Sequence, residues 1–167
     1  KCPATMKPKV YNNLLLFSLF GIALGFFGIV YEGIVYGPKM FDGSMERMLF
    51  WKSFTSIISP LIYYAPWVYL ATITVVILYV KAPLEKDKLR KKLKQAGFFQ
   101  IASLAVTLYI LTQINFKRSY GDLERYADAI PGKVIVFNVL SIIRIGLCAM
   151  GLAGVFNAYI LTQKDPD

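Results

Sequence analysis

Residues 14–31 read LLLFSLFGIALGFFGIVY, eighteen consecutive positions without a single charge. A helix needs roughly 20 mostly apolar residues to cross the hydrocarbon of a bilayer, and with its flanks this stretch supplies them over about 13–36. It is too long for the apolar segment of a signal peptide and lacks a small-residue cleavage site, so it is read as a retained span. The same pattern recurs at about 56–80, 97–115 and 134–161. The whole chain has 167 residues, 56% of them hydrophobic and 17% charged, with a mean hydropathy of +0.51. That is too apolar for a soluble domain of this size. The expected fold is therefore an all-α membrane protein, a bundle of four transmembrane helices forming one membrane domain over 1–167, with no room for a separate soluble domain.

Between the first two spans lies GPKMFDGSMERMLFWKSF. There Met45, Met48, Leu49 and Trp51 alternate with Glu46, Arg47 and Lys52, which predicts a short amphipathic helix in the membrane interface. The second span carries Pro60, Pro66 and an aromatic cluster of Tyr63, Tyr64, Trp67 and Tyr69, as a belt at the membrane surface would. Gly21, Gly25 and Gly28 follow at one-turn steps in the first span and form a shallow groove for a neighbouring helix. The fourth span is rich in small residues at Gly146, Ala149, Gly151, Ala153 and Gly154, and close packing against the first span is expected. Gln100, Ser103 and Thr107 share one face of the third span, which should turn into the bundle.

The basic residues set an orientation. KAPLEKDKLRKKLKQ, read as the loop between spans two and three, holds seven lysines and arginines; with both termini it makes eleven basic residues on one side of the membrane against seven on the other. The positive-inside rule places both termini in the cytoplasm, as in a bacterial inner membrane. The net charge of +9 then belongs with anionic headgroups rather than nucleic acid. Lys1 to Thr5 precede Met6-Lys7-Pro8-Lys9, which reads as a natural start with a basic flank, so the first five residues are taken as an added leader.

Chemistry-bearing motifs are few. With no histidine in the chain, the usual haem and di-iron ligands are missing, and no metal or cofactor is called for. Cys2 and Cys148 lie far apart and form no redox pair. No phosphate-binding loop, paired-carboxylate site or triad occurs. Two ionisable residues do interrupt the spans, Glu32 and Arg144, and each needs a partner because a charge inside the bilayer costs several kcal/mol. At 1.5 Å per residue they sit roughly 12 Å and 5 Å beyond the midpoints of their spans, toward the side away from the basic loop. Their separation in depth, about 7 Å, is the length of an arginine side chain. An ion pair is therefore expected. Asn138, Ser141 and Arg144 share a face of the fourth helix and Asn115 ends the third at similar depth, so Glu32, Asn115, Asn138, Ser141 and Arg144 make a candidate pocket, with Tyr31 and Tyr36 as further donors. A structural pair that fixes helix register explains the residues equally well.

Thr112-Gln113-Ile114-Asn115 followed by Asn138-x-x-Ser141-x-x-Arg144 resembles the small four-helix membrane proteins grouped with anthrone oxygenases, which carry Thr-x-x-Asn and then Asn-x-x-His-x-x-Arg. The spelled-out match covers the last third of the chain; the four-span layout agrees throughout. The resemblance implies oxidation of a polycyclic phenolic anthrone to its quinone by oxygen, in a pocket within the bundle and without a bound metal. Asn115, Asn138 and Arg144 match the pattern. Ser141 stands where the family has histidine, and Phe137 where a tryptophan commonly precedes the asparagine. Three readings stay open: a protein that binds a hydrophobic small molecule, with or without oxygenase-like activity; an accessory subunit with membrane-protein partners or further copies of itself; and a small transporter.

Overall fold

The computed structural model describes residues 6–35, 53, 61–115 and 130–164. They form four long helices: α1 over Pro8–Val35, α2 over Leu61–Lys81, α3 over Asp87–Tyr109 and α4 over Ile130–Lys164. A π-helical segment, Ile110–Asn115, continues α3. All four helices are long and apolar enough to cross a membrane. The amphipathic helix expected between the first two spans lies outside the described residues.

Each helix packs against its neighbours in the order α1, α2, α3, α4 and back to α1. The side-chain pairings make sequence neighbours antiparallel. Gly21 lies against Ala71, Gly25 against Val68 and Gly28 against Tyr64, so that numbers rise on α1 as they fall on α2. On the other side of the bundle Ala96 lies against Gly154, Gln100 against Gly151 and the Ser103 hydroxyl against the Arg144 carbonyl. The core is a column of Leu15, Ile22, Val75, Leu78, Leu93, Ala96, Cys148 and Val155, all fully buried. The outer surface is equally apolar: Phe20, Phe27, Ile34, Ile62, Phe98 and Ile142 are each more than two-thirds exposed. Water would not tolerate so continuous an apolar exterior, and lipid does. The chain is a polytopic membrane protein.

The fourth helix packs on the first, as expected. Two details of the sequence reading change, however: the small residues Gly151 and Gly154 of α4 receive α3, while the α1 glycine groove is filled by α2. Small-residue patterns fix where two backbones can approach but carry no label for the partner. The basic stretch after Lys86 is also not a loop. It forms the first turns of α3, in which Leu89 and Leu93 are buried. Leucines spaced one turn apart carry the helix into a segment whose remaining positions are lysine and arginine. Pro131 falls in the first turn of α4, where its missing N–H has no intrahelical partner to lose.

Candidate functional site

The polar cluster gathers at the end of the bundle away from the lysine-rich turns. Glu32 is on the last turn of α1 and Arg144 is on α4, about 20 Å along that helix from Asn157, at the edge of the lysine-rich end. Arg144 Nη2 donates to Glu32 Oε2 at 2.8 Å, with the arginine 2% and the glutamate 17% exposed. The ion pair expected from the two interrupted spans is therefore present. Inside an apolar bundle it keeps each charge from standing alone.

Sequence reasoning missed a third member. Tyr64 on α2, nearly buried, donates its hydroxyl to Glu32 Oε1 at 2.5 Å. The ring reaches that position because Gly28 has no side chain: a Cβ there would stand 2.5 Å from Tyr64 Cδ1 and 2.8 Å from Cγ. Gly28 and Glu32 are one helical turn apart on the same face of α1. A Gly-x-x-x-Glu pair facing a tyrosine-rich helix is thus the signal the sequence offers, its glycine a packing groove and its glutamate an intramembrane charge. The same device recurs across the bundle, where Gly151 leaves room for the buried Gln100 side chain, whose Nε2 donates to the Cys148 carbonyl at 3.3 Å.

The polar face of α3 turns inward as expected, with Gln100, Ser103 and Thr107 all buried. Ser103 Oγ donates to the Arg144 carbonyl at 3.4 Å and Thr107 Oγ1 to the Ser103 carbonyl at 2.9 Å. The first bond ties the backbone of α4 to α3 at the level of the arginine, and the second stays within α3. All four helices therefore meet here: α1 and α2 through Glu32 and Tyr64, α3 and α4 through Ser103 and Arg144.

Not every polar group is spent. Among the described residues four buried side-chain atoms have no hydrogen-bond partner, and three of them, Arg144 Nε, Ser141 Oγ and Asn138 Nδ2, lie on one face of α4. The fourth, Ser18 Oγ, stands apart on α1. Buried polar groups are nearly always paired, and each unmet one costs about 1–3 kcal/mol. Three at successive i, i+3 positions form a row, and each can donate a hydrogen bond. Asn115 closes the π segment that continues α3 and packs on α4; its side chain, and Tyr36, lie outside the described residues. Tyr31 is 54% exposed and faces outward from the bundle.

Charge decides what such a row accepts. Arg144 is already neutralised by Glu32, so the row offers hydrogen bonds without net positive charge. A second anion placed beside the pair would meet the Glu32 carboxylate with little to offset its desolvation. A neutral acceptor oxygen, such as a ketone or quinone carbonyl, meets the donors with no such penalty. Compared with known protein-family models, curated proteins and solved structures, the chain matches none.

Proposed function

We propose that this membrane protein binds a neutral, hydrophobic, carbonyl-bearing small molecule in the outer half of its helix bundle, with Arg144, Ser141 and Asn138 as the donors that hold its oxygen. The observation that carries this reading is the row of three unpaired buried donors beside an arginine whose charge is already balanced. Glu32 and Tyr64 act as positioning residues: they fix the guanidinium so that Nη2 faces α1 and leave Nε to the ligand.

The resemblance to anthrone oxygenases supports a fused-ring ketone or quinone as the class of molecule. Histidine is the side chain best suited to move protons near neutral pH, and Ser141 in its place suits holding a carbonyl better than proton abstraction, so binding is favoured over oxidation. Both termini are assigned to the cytoplasm by the positive-inside rule, which places the cluster toward the far face of the membrane. The accessory-subunit reading loses one of its supports, since the α1 glycine groove is occupied within the chain.

The test uses two probes of similar shape and different charge on the full chain in detergent: neutral 9,10-anthraquinone and the anion anthraquinone-2-sulfonate, each assayed by thermal shift. The neutral compound raises Tm and the sulfonate does not. Arg144→Lys removes the planar donor fork and abolishes the shift. A shift from the sulfonate alone, or one that survives in the lysine variant, overturns the reading.

A further inference from the structure

The exposed face of α3 changes character abruptly along its length. Its buried face runs through Leu89, Leu93, Ala96, Gly97, Gln100, Ser103 and Thr107. Opposite it, at three- and four-residue steps, Lys88, Lys91, Lys94, Phe98, Ile101, Ala105 and Leu108 all lie exposed. On one face of one helix, a lysine ladder thus continues directly into an apolar stripe whose Phe98 is 67% and Ile101 54% exposed. Phe98 packs edge-to-face with Phe99, which holds its ring against the helix surface.

The change occurs at the hydrocarbon boundary. Gly97 faces Val75 on α2 and Ala96 faces Gly154 on α4, so Lys94 is level with Leu78 and Asn157, and Tyr11 donates to the Leu78 carbonyl at 3.2 Å from α1. Asn12, Asn13, Lys94, Gln95 and Asn157 therefore ring the bundle at one height, as side chains at a water interface do. Lys94 lies about 6 Å and Lys91 about 10 Å from the level of Phe98. The headgroup region is roughly 5–7 Å deep on each side, so both ammonium groups reach it on flexible stems.

We propose that this face of α3 holds an anionic phospholipid, with its acyl chains along Phe98 and Ile101 and its phosphate between Lys91 and Lys94. The two lysines are one turn apart on the same face, close enough to share one phosphate. Neither makes an ion pair with a described carboxylate, although Asp87 is one turn before Lys91. The neighbouring cavity of about 340 Å³ lined by Glu85, Lys86, Asp87, Lys88 and Leu161 is the less suitable seat, because its two carboxylates offset its two lysines. Arg90 is engaged elsewhere, stacked over the Tyr79 ring at 5.5 Å.

The experiment reconstitutes the full chain in vesicles of phosphatidylglycerol and phosphatidylcholine, and reads the relative association of spin-labelled forms of each lipid by electron paramagnetic resonance. Wild type prefers phosphatidylglycerol. Lys91→Gln with Lys94→Gln lowers that preference by up to about fivefold per lysine, and Lys91→Arg with Lys94→Arg retains it. Lys7→Gln with Lys9→Gln, exposed at the start of α1 and at the same end, leaves it unchanged. Equal loss in the α1 and α3 glutamine variants would mean a diffuse surface potential and overturn the site, as would a wild type without lipid preference.

Discussion

Arg144 shows how one buried cation can serve both structure and recognition. One terminal nitrogen is bound to Glu32 while Nε remains unpaired, and Ser141 and Asn138 extend the row of donors along α4. Breaking a buried pair by removing one partner strands the other charge and costs about 3–5 kcal/mol. Glu32→Gln is accordingly expected to lower thermal stability by several degrees. It should also reverse ligand preference, because Arg144 would then carry an uncompensated charge: the variant takes anthraquinone-2-sulfonate where wild type takes the neutral quinone, a change read by the same thermal-shift assay. Tyr64→Phe removes one hydrogen bond to Glu32 and is expected to cost about 1–3 kcal/mol while sparing the preference for a neutral ligand. The pair itself was legible in the sequence because two charges interrupting apolar spans require each other. Tyr64 was not, since an aromatic cluster near a membrane surface reads equally well as a lipid anchor.

At the scale of helices, packing is set by where side chains are missing. Gly25 stands so close to Val68 that any Cβ must displace it, whereas Gly146 has nothing within 4 Å. Gly25→Ala is expected to destabilise the bundle by about 1–3 kcal/mol, and Gly146→Ala to be neutral or slightly stabilising, as removal of a mid-helix glycine usually is. Denaturant unfolding in mixed micelles distinguishes them. Spans were readable from the sequence because apolar runs of this length have one common solution in a bilayer. Partner choice was not, because α1 borders both α2 and α4, and only Ala71, Val68 and Tyr64 lying against Gly21, Gly25 and Gly28 assign the groove to α2. The start of α3 was obscured for a related reason: basic residues at most positions concealed the buried Leu89 and Leu93.

For the whole molecule, the two ends of the bundle are chemically distinct. One end carries the lysine-rich turns of α3, while the opposite end holds a neutral ion pair and unspent donors. With both termini on one side, Lys88→Cys and Lys164→Cys in a background lacking Cys2 and Cys148 are expected to react with a membrane-impermeant maleimide only from the cytoplasmic face, and Gly132→Cys only from the other. Agreement between Lys88 and Lys164 tests the even number of crossings, and their opposition to Gly132 tests the direction. Native mass spectrometry of the protein gently released from its own membrane tests ligand binding directly. One neutral organic molecule with a carbonyl group per chain is expected, lost in Arg144→Lys. A chain that carries no such molecule, or one that retains it unchanged when the guanidinium is gone, would contradict it.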